Sequence, residues 1–207
     1  MFRAVLFDLD GTLREFEPAL PQVYREVLQT YRIRVSPQAE RAVWRWAHAF
    51  WAASDELRQL LSQYRGEDGH PTEAFWTIYH AHKLERLGLS PAQAAALAPA
   101  VSRALAEQVD QAEDRALPDA LPTLRRLRAM GYRLAVLTNR RHAPDPEYLA
   151  RLGLAPCFDA VWAAGELQAF KPDPRVFQAA VRAWGFEPHE VVYVGDNFYA
   201  DVVGARR

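Results

Sequence analysis

Four short apolar runs constrain this chain more than any other feature, because of where they fall. The first, Ala4-Val-Leu-Phe-Asp-Leu9, ends in acid followed by Gly11-Thr12, the pattern of a buried strand stopping at a turn. The other three, Tyr132 to Thr138, Phe158 to Ala163 and Val191 to Val194, come more than a hundred residues later. Helical patterns accompany these three, at about 119–130, 146–153 and 174–184. Asp173-Pro174 offers an N-cap followed by proline at the first helical position, and Gly131 and Gly185 sit where C-terminal caps belong. Strands alternating with helices predict right-handed crossovers and a parallel sheet covered on both faces.

The residues between the first run and the rest contain no good strand candidate. Pro18 to Ile33, Ser36 to Ala53, Pro71 to Leu87 and Ser90 to Val109 read as helices, two of them opened by Ser-Pro pairs at 36–37 and 90–91. Gly66 to His70 reads as a loop. The sequence therefore predicts a Rossmann-like, doubly wound α/β core formed by residues 1–15 and 115–207, with an all-helical domain, 16–114, inserted into it.

Composition narrows the possible partners. With 25 basic and 26 acidic residues the net charge is −1, against a nucleic-acid binder that works through a strong basic footprint. The single cysteine, Cys157, excludes an internal disulfide framework or a cysteine metal site and suits a reducing cytoplasm. The N-terminal apolar stretch is too short for a signal peptide or a membrane span. Of the 25 basic residues 23 are arginine, and the only lysines are Lys83 and Lys171. The reading expects a cytoplasmic protein with no membrane partner, a monomer or a homodimer.

In an open parallel sheet, ligands gather at the carboxyl ends of the strands. Those ends carry Asp8 and Asp10, then Thr138-Asn139, then Asp196 with Asp201; Lys171 lies in the loop before the helix at 174–184. Closely packed carboxylates cannot all stay ionised without a cation, and an all-oxygen set that leaves room for waters suits Mg²⁺.

Phe7-Asp8-Leu9-Asp10-Gly11-Thr12-Leu13, Leu137-Thr138-Asn139, Lys171-Pro172 and Gly195-Asp196-Asn197-Phe198-Tyr199-Ala200-Asp201 resemble, in order, the four signature motifs of the haloacid dehalogenase-like hydrolase superfamily. The resemblance covers residues 1–15 and about 115–207; the helical insert matches in position and class only. It implies that Asp8 is a nucleophile forming an aspartyl-phosphate and that Asp10 is the acid and base. Asp8, the Asp10 backbone carbonyl, Asp196 and Asp201 would hold Mg²⁺. The Thr138 hydroxyl and Asn139 amide would hold phosphate oxygens, while Lys171 offsets charge between nucleophile and phosphate. It also implies the reaction, because the dehalogenase and phosphonatase branches lack the second aspartate. Asp10 thus points to phosphatase action on a small phosphorylated metabolite, with the helical cap closing over it. The alternatives are a phosphomutase and, from another class, a receiver-like phospho-acceptor domain, which has no hundred-residue helical insert.

Other residues read more plainly. Trp44, Trp46, Phe50, Trp51, Phe75, Trp76 and Tyr79 read as the core of the helical insert. His80 and His82 fall on different helix faces, and His48 and His70 have no partner at ligand spacing. Arg140, Arg141 and His142 read as a solvated loop, the competing reading being a receptor for a second anionic group on the substrate. Lys83, beside Glu85 and Arg86, reads as part of an exposed face. Arg14-Glu15-Phe16-Glu17 stands where many members of the superfamily carry a hydrophobic residue and an aspartate. The chain ends at Arg207 inside the helix after the fourth motif, where a further strand is expected to follow.

Overall fold

A computed structural model describes residues 1–52, 54–66 and 71–207. In chain order its first elements are β1 (Ala4–Phe7), β2 (Arg14–Glu17), α1 (Leu20–Thr30), α2 (Pro37–Trp51), α3 (Asp55–Tyr64), α4 (Glu73–Arg86) and α5 (Pro91–Gln111). There follow β3 (Glu113–Ala116), α6 (Ala120–Ala129), β4 (Arg133–Thr138), α7 (Pro146–Arg151), β5 (Ala160–Ala163), α8 (Pro174–Trp184) and β6 (Val191–Val194). A π-helical turn, Phe198–Val203, follows β6. The chain divides into two units, one of Met1–Glu15 with Asp114–Arg207 and one of Phe16–Glu113.

The first unit is an α/β domain. Its sheet has the strand order β5-β4-β1-β6 and every neighbouring pair is parallel, with Ala4 opposite both Arg133 and Val191. Successive side chains of a strand point to opposite faces, and both faces here are apolar. Val5 and Phe7 of β1 join Leu134 and Val136 of β4 in a cluster with Leu124, Leu149, Leu154 and Cys157. Leu6, Ala135 and Leu137 point the other way, onto Val176, Phe177, Ala180 and Val181 of α8. This two-sided burial explains the continuous apolar runs, which a half-solvated sheet would not need. A Leu137→Ala change would cost about 2–5 kcal/mol at such a site.

β1 stops two residues earlier than the sequence suggests. The chain turns after Asp8, and the Leu9 carbonyl accepts N–H groups from Leu13 at 2.9 Å and Arg14 at 3.1 Å. The expected helices form with small changes of boundary. Asp145 and Asp173 cap α7 and α8, their side chains accepting from Tyr148 N at 2.6 Å and Arg175 N at 2.9 Å.

The second unit is helical. Ser36, Ser54, Thr72 and Ser90 cap α2 to α5, and Ser90 forms a reciprocal capping box with Gln93. Val23, Val27, Leu28, Leu84, Ala94, Ala98 and Val101 form one buried cluster, and Phe50, Leu57, Leu60, Phe75 and Tyr79 form another. Trp44, Trp46, Phe50, Trp51, Phe75 and Tyr79 therefore serve the insert's own core, whereas Trp76 is exposed and does not. Apart from Gly66, the loop expected over Gly66 to His70, His70 included, lies outside the described residues.

The structure departs from the sequence pattern at three places. α3, opened by Ser54, Asp55 and Glu56, was not anticipated. The segment said to hold no strand begins and ends with one: β2 and β3 pair as a two-stranded ribbon where the chain passes between the units. Lys83 is not on an exposed face. It is 3% exposed, its ammonium 3.7 Å from the ring centre of Tyr24 and 4.1 Å from that of Trp44. Those ring faces replace part of the lost hydration, yet burial still pulls the Lys83 pKa down to about 7. His80 and His82 have different neighbours: His80 stacks on Trp76, and His82 Nδ1 lies 2.5 Å from Glu56 Oε1. No helix among the described residues is long and apolar enough to cross a membrane.

Candidate active site

Because β1, β4 and β6 are parallel neighbours, their carboxyl ends lie side by side, and the polar residues that follow them meet. Asp8 and Asp10 leave β1, Thr138 ends β4 and Asn139 follows it, and Gly195-Asp196 leaves β6. Lys171 enters this edge from the loop before α8.

Lys171 is 2% exposed, and all three hydrogens of its ammonium have acceptors. Its Nζ donates to Asp8 Oδ1 at 2.7 Å, to Asp201 Oδ1 at 2.6 Å and to the Tyr193 hydroxyl at 2.8 Å. The Tyr193 oxygen is in turn 3.1 Å from the Leu137 carbonyl oxygen and 3.2 Å from Asp201 Oδ1, either of which can take its proton. The backbone of Lys171 is fixed too. Asn139 Oδ1 accepts its N–H at 2.8 Å, and Asn139 Nδ2 donates to its carbonyl at 3.2 Å. The Asn139 side chain is thereby engaged with the lysine backbone.

Asp8 and Asp201 are buried and Asp196 is exposed; one carboxylate oxygen from each lies within 4.8 Å of the others. Burial pushes the Asp8 carboxyl up to about 7, against the lowering influence of Lys171. Two glycines make this crowding possible. Gly11 has φ +90°, and a Cβ there would lie 2.7 Å from Asp196 Oδ2. At Gly195 a Cβ would lie 2.3 Å from Asp201 Cγ. Asp201 Oδ2 also accepts the Asn197 N–H at 2.9 Å, and Asn197 Oδ1 caps the turn that carries Asp201.

Asp10 has different company. Its Oδ1 accepts from Arg14 Nε at 2.6 Å and Arg140 Nη2 at 2.7 Å. Its Oδ2 accepts from Arg140 Nε at 2.8 Å and the Thr138 hydroxyl at 3.3 Å. Burial works against this charge, but the Arg140 hydrogen bonds and the two guanidinium charges outweigh it and hold the carboxyl below its usual range. Arg14 is pinned from behind by Asp114. Arg140 leans instead on Tyr148, whose hydroxyl is 3.1 Å from Nη2 and whose ring centre is 4.9 Å from the guanidinium carbon.

All seven residues singled out in the sequence, Asp8, Asp10, Thr138, Asn139, Lys171, Asp196 and Asp201, thus fall at one sheet edge. Arg140 corrects the solvated-loop reading: it is half-buried on Asp10, whereas Arg141 and His142 are exposed. Arg14 and Tyr193 were not anticipated. The spacing of Arg14, four residues after Asp10 across a tight turn, was one available signal. The other was Tyr193 as the sole hydroxyl within an otherwise all-valine strand.

A family model of haloacid dehalogenase-like hydrolases matches residues 2–207. The chain is 30% identical over 207 residues to a glyceraldehyde 3-phosphate phosphatase from Methanopyrus kandleri, covering 100% of this chain and 81% of the relative. It is 34% identical over 215 residues to a phosphoserine phosphatase from Thermus thermophilus, covering 99% and 84%. Among solved structures it is similar to an L-2-haloacid dehalogenase from Xanthobacter autotrophicus, with 27% identity, a TM-score of 0.54, and coverage of 100% of this chain and 74% of that one.

Proposed function

Since the chain belongs to the haloacid dehalogenase-like hydrolases, we propose that it is the phosphatase kind of hydrolase, acting on a small phosphorylated metabolite in the cytoplasm through an aspartyl-phosphate. The observation that carries this choice over dehalogenation is Asp10. Displacing a halide from carbon needs one carboxylate nucleophile and no acid for the leaving group. Displacing an alkoxide from phosphorus needs a proton donor as well. A second carboxyl, hydrogen-bonded to Thr138 at the same sheet edge as Asp8, supports the phosphatase reading.

The hydrogen bonds support the roles that the family resemblance implies. Asp8 Oδ1 is held by Lys171, while Oδ2 has a longer contact, 3.4 Å, from the Thr12 hydroxyl. Oδ2 is therefore the oxygen that forms the new bond to phosphorus as the ester P–O bond breaks. Asp10, ionised between its arginines at rest, must first take up a proton from solvent or from the incoming ester; it gives that proton to the departing oxygen, then takes one from the water that cleaves the acyl phosphate. Lys171 orients Asp8 and favours its ionised form against the effect of burial, and Tyr193 and Asp201 keep Lys171 in place. The Thr138 hydroxyl and the Asn139 backbone amide donate to phosphate oxygens, the Asn139 side chain being held by the Lys171 backbone.

Three carboxylate oxygens within 4.8 Å form a hard, all-oxygen donor set that fits Mg²⁺. Asp8, Asp196, Asp201 and the Asp10 backbone carbonyl would hold it, and when bound it supplies positive charge against the phosphoryl oxygens.

The test measures phosphate release from an aryl phosphate with and without Mg²⁺, and halide release from a 2-haloacid. Expected are Mg²⁺-dependent phosphate release, its loss in Asp8→Asn and Asp10→Asn, and no halide release. Full turnover in both variants would overturn the mechanism, and halide release without phosphate release would overturn the assignment.

A further inference from the structure

Both oxygens of Asp10 are fully engaged. Four donors converge on them: Arg14 Nε and Arg140 Nη2 on Oδ1, and Arg140 Nε and Thr138 Oγ1 on Oδ2. A carboxylate has about four acceptor positions, so in this arrangement Asp10 has none to spare for a leaving group or a water. Thr138 leaves Asp10 when its hydroxyl turns to the phosphate, but two guanidinium groups still hold three of the four positions and oppose the proton that an acid must carry, so if Asp10 is the acid and base, as proposed above, one arginine must let go during turnover.

The surroundings say which one. The Arg14 side chain is 10% exposed and is tied at its far end to a second carboxylate, Asp114. The Arg140 side chain is 28% exposed, and its other contacts are the neutral hydroxyl and ring of Tyr148. Arg14 is held between two carboxylates, Asp10 and Asp114, and so stays in place, whereas Arg140 has only the neutral Tyr148 to hold it beside Asp10. Arg140 grips Asp10 through Nε and Nη2 together, the fork geometry that guanidinium groups use for carboxylates. Asp10 therefore fills a ready-made carboxylate receptor from inside the protein.

We propose that Arg140 is a specificity-determining residue that selects phosphomonoesters bearing a carboxylate. The substrate carboxylate replaces Asp10 on the Arg140 fork, and the exchange frees Asp10 for proton transfer. Swapping one bidentate partner for another is nearly balanced, whereas an ester without a carboxylate must break the pair with nothing in return. The expected preference is roughly 10–100-fold, the range for one charge-assisted pair. The proposal rests on the phosphatase reading and names its substrate class.

Two matched pairs of esters test it at two spacings: 2-phosphoglycolate against ethyl phosphate, and 3-(phosphonooxy)propionate against propyl phosphate. In the wild-type protein kcat/KM is expected to favour the carboxylated member of at least one pair by roughly 10–100-fold. Arg140→Met should bring that ratio within about threefold of unity, through a higher KM for the carboxylated ester and a higher kcat for the plain one. Arg141→Gln, an exposed neighbour, should keep the ratio, which separates a specific receptor from diffuse attraction of anions. To meet the case of a misfolded Arg140→Met, calorimetric binding of both esters to Asp8→Asn is expected to give the same preference. A wild-type ratio near unity in both pairs, or a preference that survives Arg140→Met, would overturn the proposal. No turnover of any ester, aryl phosphate included, would overturn the phosphatase reading beneath it.

Discussion

Lys171→Arg keeps the charge and, on paper, the chemistry; it is expected to abolish most activity. The lysine ammonium is a point donor whose three hydrogens reach Asp8, Asp201 and Tyr193 at 2.7, 2.6 and 2.8 Å in a space that is 2% exposed. A guanidinium is planar, and its donors leave three nitrogens in one plane, so it cannot serve three acceptors grouped about a point. Forcing it in adds overpacking of about 1–3 kcal/mol. It also moves Asp8, and a displacement of about 1 Å at a reacting group costs on the order of 10²-fold in rate. The combined expectation is a loss of about 10²–10⁴-fold in kcat/KM. The assay is phosphate release from an aryl phosphate with saturating Mg²⁺, run beside a urea unfolding curve to show that the variant is folded. A folded Lys171→Arg protein with turnover within about threefold of wild type would refute the point-donor argument.

Two further outcomes follow from buried charge. In the metal-free protein Asp8 titrates at about 7, because burial outweighs the attraction of Lys171. Mg²⁺ needs the ionised carboxylate, so its apparent affinity should weaken by up to about tenfold per pH unit below 7 and level off above it. Calorimetry from pH 5.5 to 8.5 checks this, and a flat profile would contradict it. Lys83 carries the opposite sign, since burial holds the folded protein's ammonium at about 7 while the unfolded chain keeps a pKa near 10.5. Between those values the unfolded chain binds more protons, so this residue makes stability rise with pH across about 7 to 10. Lys83→Met should therefore stabilise the protein at pH 6 by roughly 1–3 kcal/mol after loss of the ring contacts, with the gain shrinking toward pH 10. Urea midpoints across that range decide it, and a destabilised, pH-independent variant would count against the argument.

What the sequence revealed and what it hid divide along a physical line. The core strands were legible because both their faces are buried, which forces continuous apolar runs such as Leu134 to Leu137. The helix starts were legible because a Ser or Asp cap acts within three residues of itself, as at Ser36, Ser90 and Asp173. The seven polar residues of the sheet edge could be collected because strand ends converge by topology alone. β2 and β3 were hidden because each is short, charged and paired only with the other, about a hundred residues away. Lys83 and Arg140 were misjudged, and Arg14 was passed over, for a related reason. A long basic side chain looks solvated until its partner is known, and Arg140 meets Asp10 across 130 positions of sequence.

The strand order β5-β4-β1-β6 also has a consequence during synthesis. β1 leaves the ribosome first, yet Ala4 pairs with Arg133 on one side and Val191 on the other. At about 5–20 residues per second, β1 waits roughly 6 to 26 seconds for its first partner and longer for its second. Through that interval Ala4-Val-Leu-Phe7 is an apolar segment with both edges open, while the intervening helical unit has all of its own contacts to hand. The strand that delivers Asp8 and Asp10 thus stays open until β6 arrives, and during synthesis the exposure of the sheet to aggregation and to chaperones falls on Ala4 to Phe7.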